Sequence, residues 1–137
     1  MQVQRLGDAS HDWQLYRGEG RLAIEWYFRD TTNLAANVML YHFEPGVEEG
    51  EHLHEAGNDD SCSTYSSDEM YVVIEGELVM TLGDERAVLG VGDAMYAPHG
   101  SLHGVRNESD AVARLLLVFG PPRDPAGAPG SPPNPAP

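Results

Sequence analysis

Three histidines and one glutamate have the types and the spacing of a metal-binding set. His52 and His54 are separated by one residue, Glu69 follows them, and His103 lies further along the chain. Imidazole is a borderline ligand that suits divalent transition metals, and one carboxylate removes part of their charge. The pattern therefore predicts one bound ion of Fe, Mn, Ni, Zn, Co or Cu, held by His52, His54, Glu69 and His103.

Strand geometry explains why this spacing matters. Side chains alternate between the two faces of a strand, so His52 and His54 should point the same way, with α-carbons about 7 Å apart. Glu69 and His103 lie on further predicted strands, and closing a sheet into a barrel brings such strands around one interior point. Glu55 and Asp68 flank the set but have the wrong alternation for it.

The elements that must position these residues are short strands. Gly, Asn and Asp separate them at hairpin-sized breaks, and no convincing helical period is present. An all-β antiparallel sandwich or barrel is therefore expected. The predicted strands cover residues 21–29, 34–43, 51–55, 69–74, 77–82, 86–89, 94–97, 102–107 and 111–119.

Two motifs make the chain resemble the cupin superfamily. The second family motif, G-x5-P-x-G-x2-H-x3-N, is complete at Gly92, Pro98, Gly100, His103 and Asn107. The first, G-x5-H-x-H-x3,4-E-x6-G, is present at Gly46, His52, His54, Glu69 and Gly76, but its interval before the glutamate is longer, at residues 55–68. The resemblance covers residues 34–119 and is that of a small single-domain cupin, or monocupin.

The resemblance implies a cupin double-stranded β-helix, or jelly-roll barrel, as a single domain over residues 1–120. It implies a metal ion inside the barrel, bound by His52, His54, Glu69 and His103, with Glu69 the ligand that the long interval affects most. The motif glycines, Pro98 and Asn107 are then turn and scaffold positions. Proteins similar to it are commonly homodimers, so a homodimer is expected.

Two segments differ from the rest of the chain. Residues 55–68 are dense in Ser, Asp, Asn and Gly and predict a loop near the barrel mouth, which is either a substrate-gating lid or a plain surface excursion. Cys62 lies in this loop, and an inert thiol is preferred over a redox or catalytic one because no neighbouring base is evident. Residues 121–137 hold eight of the ten prolines and predict a flexible tail.

The charge and the composition exclude several functions. The 22 acidic and eight basic side chains give a formal charge of −14, which repels phosphate backbones and anionic lipids, so neither nucleic acid nor membrane is an expected partner. All eight basic residues are Arg, which excludes Schiff-base chemistry on a lysine. With one Cys, no signal pattern and no long apolar run, a cytoplasmic location is expected.

An open metal position is what links these residues to catalysis. Three or four protein ligands leave positions free for a small-molecule substrate. The sequence predicts a metal-dependent enzyme that acts on a small oxygen-rich metabolite, dioxygenase-type in the first place. The alternatives are a metal-dependent isomerase, epimerase or lyase, and a non-catalytic cupin that binds a sugar or metabolite. His42 and Tyr71 are the candidate catalytic bases.

Overall fold

A computed structural model describes residues 1–54 and 68–120, which form ten β-strands. No stretch of these two ranges is helical, so they contain no helix long and apolar enough to span a membrane. The strands are β1 (Ser10–Trp13), β2 (Leu22–Tyr27), β3 (Asn37–Phe43), β4 (Glu48–His52), β5 (Glu69–Glu75), β6 (Leu78–Leu82), β7 (Glu85–Leu89), β8 (Ala94–Ala97), β9 (His103–Arg106) and β10 (Ala113–Phe119).

The strands form two antiparallel sheets. The larger sheet has the order β1-β2-β3-β10-β5-β8, and the smaller has the order β4-β9-β6-β7. Strands that are distant in sequence are neighbours in space, such as β3 with β10 and β4 with β9. This is the two-sheet pattern of a jelly roll, and the expected all-β fold is confirmed.

The hydrophobic core lies between the sheets. Strand β10 alternates strictly, with Leu115, Leu117 and Phe119 buried and the intervening residues half-buried. Strand β3 contributes Met39 and Tyr41 to the same core. Burying such side chains stabilises the fold by roughly 1.5–3 kcal/mol each, and it sets the register of the strands that carry the site.

Strand β4 differs from its prediction. The strand was expected over residues 51–55, but it runs from Glu48 to His52, and His54 lies two residues beyond its end. The start of this strand was not predicted because its glutamates give no alternation of apolar and polar residues. The backbone still fixes His54, since the amide of Gly100 donates to its carbonyl over 2.9 Å.

The two motifs meet through their backbones. The amide of Gly46 donates to the carbonyl of Asn107 over 2.9 Å, and the Asn107 amide donates to the carbonyl of Val47 over 3.0 Å. Gly76 has a φ of 68°, and a Cβ there would lie 2.6 Å from the Val112 carbonyl oxygen. Glycine is therefore required at this turn, as the motif predicts.

Candidate metal centre

The four predicted ligands meet in the interior of the barrel. His52 ends β4, His54 follows it, Glu69 begins β5 and His103 begins β9. Each is at most 5% exposed. One donor atom from each of the four lies within 4.8 Å of the others. The structure thus brings together the whole predicted set, and the long interval before Glu69 does not displace that residue.

The shortest contacts run through the histidine Nε2 atoms. His52 Nε2 lies 3.1 Å from His54 Nε2, and His54 Nε2 lies 3.1 Å from Glu69 Oε1. His103 Nε2 lies 2.8 Å from Glu69 Oε2. All three imidazoles therefore direct the same ring nitrogen at one point.

Backbone carbonyls orient two of the imidazoles. His52 Nδ1 lies 2.7 Å from the Gly50 carbonyl oxygen, and His103 Nδ1 lies 2.8 Å from that of Ser101. A carbonyl only accepts hydrogen bonds, so both Nδ1 atoms carry protons, and Nε2 is the nitrogen left to bind an ion. Such outer contacts fix the tautomer of metal-binding histidines.

The spacing of the donors suits a transition metal. With bonds of about 2.1 Å, ligand atoms lie about 3.0 Å apart at right angles around an ion and about 4.2 Å apart on opposite sides. The observed contacts of 2.8–3.1 Å and the outer limit of 4.8 Å are close to these values. The residues present therefore fit a metal ion with small side-chain adjustments.

Burial and charge divide the protonation states within the cluster. Burial, followed by the charge of His103, lowers the pKa of His52 to about 3, so its ring is neutral. Burial alone would lower the pKa of His103, but the hydrogen bond and the charge of Glu69 raise it to about 8. Burial likewise opposes ionisation of Glu69, yet its hydrogen bonds to His103 and His54 hold its pKa well below the usual range.

A second carboxyl group, that of Glu49, adjoins the cluster, and sequence reasoning missed it. Glu49 is 2% exposed, and its Oε1 atom lies 3.6 Å from His52 Nε2. Regular alternation would place residues three apart on opposite faces, but a register shift between Glu49 and His52 reverses the parity. No sequence signal marks this bulge apart from the glycine at position 50.

Tyr71 connects the two carboxyl groups. Its hydroxyl lies 2.7 Å from Glu49 Oε1 and 2.5 Å from Glu69 Oε2. Burial, followed by the charge of Glu69, raises the pKa of Glu49 to about 8. Burial and both carboxylates also raise the pKa of Tyr71 well above its usual value, so its phenol stays protonated.

His42, the first candidate base, has no described contact with the four predicted ligands. It is on the opposite face of β3 from the buried Tyr41, where its ring nitrogens contact Glu44 Oε1 over 3.0 Å and Arg114 Nε over 3.2 Å. Strand alternation directs it to the outside of the larger sheet. Tyr71, the other candidate, does adjoin the cluster.

Two other expectations concern the interval between the ligands. Asp68 does not join the cluster, because it accepts hydrogen bonds from the His99 amide over 2.8 Å and from the Tyr96 hydroxyl. The expected lid at residues 55–68 lies outside the described residues except for Asp68, so Glu55 and Cys62 are not described. The expected tail at residues 121–137 also lies outside the described residues.

A small cavity adjoins His54 and Glu69. Its volume of about 10 Å³ is close to the minimum that holds one water molecule. Its remaining walls are mostly apolar or aromatic and consist of Tyr16, Met39, Tyr41, Leu117 and Phe119. The cluster therefore has room beside it for one water-sized molecule.

Comparisons with known proteins agree with this architecture. The family model for the Cupin domain matches residues 61–119. An uncharacterized protein of Streptomyces coelicolor is 33% identical over 79 residues, which are 58% of this chain and 74% of that protein.

Two solved structures are similar to the whole barrel. One is a protein from Thermotoga maritima described as a predicted oxalate decarboxylase, with a TM-score of 0.72 and 19% identity, over 89% of this chain and all of that one. The other is a conserved barrel domain protein from Salinispora arenicola, with a TM-score of 0.67 and 23% identity, over 92% and 91% of the two chains. At these identities, the likeness shows the fold alone.

Proposed function

Because the chain belongs to the cupin superfamily, we propose that its cluster of His52, His54, Glu69 and His103 binds a divalent transition metal and that this centre is catalytic. The convergence of these four donors in the buried interior is the observation that carries the proposal. Buried polar groups are costly unless they are paired, and a cation satisfies the lone pairs that meet here.

The reaction we propose first is of the dioxygenase type, on a small oxygen-rich metabolite. A bound redox metal would supply the site for dioxygen and for the oxygen atoms of the substrate. The cavity of about 10 Å³ beside His54 and Glu69 supports a small ligand next to the cluster, because it has room for one water-sized molecule.

The second candidate is a metal-dependent isomerase, epimerase or lyase. The contact of Glu49 with Tyr71 favours it, because a buried carboxyl group with a raised pKa, next to a phenol, can store a proton and release it. In this case the metal would act as a Lewis acid. A non-catalytic cupin that binds a sugar or metabolite would need the pocket but not the complete donor set.

Elemental analysis tests the metal centre. Protein purified without added metal should contain about one ion per chain, and His52→Ala and His103→Ala should each lose most of it. His42→Ala is the matched control, because His42 lies on the outside of the larger sheet. Substoichiometric metal that neither cluster variant changes would overturn the proposal.

Substrate assays separate the candidate reactions. Dioxygen uptake by the metal-loaded protein on a panel of diketones, catechols and thiols would select the dioxygenase. Exchange of substrate hydrogen with D2O, or loss of carbon dioxide from oxalate, without dioxygen uptake would select the isomerase or lyase. Saturable binding of a panel compound with no turnover would select the non-catalytic role.

A further inference from the structure

The ring of Tyr16 lies flat against the ring of His52. The two centroids are 3.4 Å apart, and the planes differ by 5°. Tyr16 also meets His54 edge to face, at a centroid distance of 6.0 Å. One side chain from outside the strands thus contacts two of the proposed metal ligands.

The backbone around Tyr16 is strained. Tyr16 and Arg17 have φ values of 51° and 59°, in the left-handed region that residues other than glycine rarely adopt. Each such residue costs about 1–2 kcal/mol, and strained backbone persists only where the surroundings hold it in place. We refer to residues 14–19 as the strap.

Two glycines allow the strap to approach β4 closely. A Cβ on Gly50 would lie 2.1 Å from the Tyr16 carbonyl oxygen, and a Cβ on Gly18 would lie 2.4 Å from that of Glu48. The Gly50 amide donates to the Leu15 carbonyl over 3.1 Å, and the side chain of Leu15 is fully buried in the core. The strap is therefore fixed against the same strand that ends in His52.

The stack has a physical reason to depend on a metal. Two electron-rich rings prefer an offset or edge-to-face arrangement over direct overlap, because their negative faces repel each other. A positive charge over the face of a phenol is instead attracted to it. An imidazole that shares the charge of a bound ion should therefore stack on Tyr16 more strongly than a neutral one.

We propose that Tyr16 is a positioning residue of the metal centre, which fixes the plane of the His52 imidazole and stacks more strongly on that ring once a metal ion is bound. The inference rests on the proposed function, since it requires an ion at the cluster. Binding linkage makes the effect reciprocal: the strap strengthens metal binding, and the metal strengthens docking of the strap.

The affinity for Co²⁺, measured by absorbance in competition with a chelator, tests whether the strap strengthens metal binding. Tyr16→Phe keeps the ring and should bind within about twofold of the wild type, whereas Tyr16→Leu removes it and should bind about tenfold more weakly. Tyr27→Leu, which removes a half-buried tyrosine from β2, is the matched control and should bind like the wild type.

Amide hydrogen exchange, measured with and without Zn²⁺, tests whether the metal strengthens docking of the strap. The Gly50 amide donates to the Leu15 carbonyl of the strap, so its exchange rate reports docking of the strap. Zinc should slow this exchange in the wild type and in Tyr16→Phe, and should slow it much less in Tyr16→Leu. A purely structural tyrosine would lower the stability of Tyr16→Leu but leave its Co²⁺ affinity and its zinc protection unchanged, and this result would overturn the proposal. If the wild type binds no Co²⁺, or if His52→Ala binds Co²⁺ as tightly as the wild type, the proposed function is overturned as well.

Discussion

The carboxyl groups of Glu49 and Glu69 face each other across a single hydroxyl group, that of Tyr71. The hydroxyl oxygen lies 2.7 Å from the first carboxyl group and 2.5 Å from the second. A phenol has one proton and can donate it to only one of them. Both contacts are hydrogen bonds if Glu49 is itself protonated and donates to the Tyr71 oxygen. The raised pKa of Glu49, about 8, agrees with that arrangement.

This arrangement predicts how the stability of the metal-free protein changes with pH. The pKa of Glu49 is about 8 in the folded state against an ordinary value of 4.5, so the folded state keeps a proton that the unfolded state has lost. The contribution of Glu49 to the free energy of unfolding should therefore fall as the pH rises between these two values. Glu49→Gln can still donate to Tyr71 but does not titrate, so from about pH 5 to pH 8 its free energy of unfolding should decrease less, or increase more, than that of the wild type.

Urea denaturation in the presence of a chelator, at about pH 5, 6.5 and 8, measures the two slopes. Glu51→Gln is the control, because Glu51 lies on the same strand but is exposed. It should follow the wild type. Parallel slopes for the wild type and Glu49→Gln would show that Glu49 is ionised throughout this range.

The second prediction concerns Asn107, which is fully buried at the end of the second motif. Its Nδ2 atom donates to the carbonyls of Phe43 over 3.1 Å and Ala111 over 2.8 Å. Its Oδ1 atom accepts from the amide and the hydroxyl of Ser109, over 3.0 and 2.7 Å. Asn107→Ala removes all four hydrogen bonds, although the Ser109 hydroxyl still donates to the Ala111 carbonyl over 3.1 Å, and it should lower the free energy of unfolding by about 2–4 kcal/mol.

Urea denaturation checks that loss, and Asn33→Ala, at an exposed position, should be close to neutral. The folded fraction of Asn107→Ala should bind as much metal as the wild type, because Asn107 contacts none of the four cluster residues among the contacts described. A loss below about 1 kcal/mol would mean that water replaces the amide without cost.

The candidate ligands were predictable because they depend on local pattern. His52 and His54 follow from alternation and spacing, and His103 from a motif whose turns are fixed by glycine and proline. Glu69 followed from the motif despite its unusual interval. Strands β5 to β10 also lie within two residues of their predicted bounds, since hydrophobic alternation and turn residues mark them.

The features that the sequence did not predict depend on contacts between segments that are distant in the chain. Glu49 faces the cluster because a bulge reverses the parity of β4, and the surrounding glutamates give no sign of it. Strand β1 was missed because Ser10 to Trp13 are mostly polar and become a strand only by pairing with β2. The stack of Tyr16 on His52 arises from the close approach of two backbones that are distant in sequence.

The last prediction concerns Glu25, whose buried carboxylate holds the N-terminal segment on β2. Glu25 is 2% exposed. It accepts hydrogen bonds from Gln4 Nε2 over 2.8 Å, from the amides of Gly7 and Ala9 over 3.0 Å each, and from the Ser10 hydroxyl over 2.7 Å. Burial alone would raise its pKa, but these donors, Ser10 first, lower it below 4.5.

A carboxyl group with a lowered pKa in the folded state adds stability above its ordinary pKa, and this stability is lost as the pH falls through the folded value. Glu25→Gln presents one acceptor oxygen instead of two, so near neutral pH it should lower the free energy of unfolding by about 1–3 kcal/mol. The difference from the wild type should narrow as the pH falls from 4.5 through the lower folded pKa of Glu25, because the folded wild type is itself protonated only below that pKa. Urea denaturation near neutral pH and below pH 4.5 measures the difference in the free energy of unfolding between Glu25→Gln and the wild type. Glu77→Gln, at an exposed position, is the control. A difference that stays constant with pH would show that the geometry of the side chain, and not its charge, holds the segment.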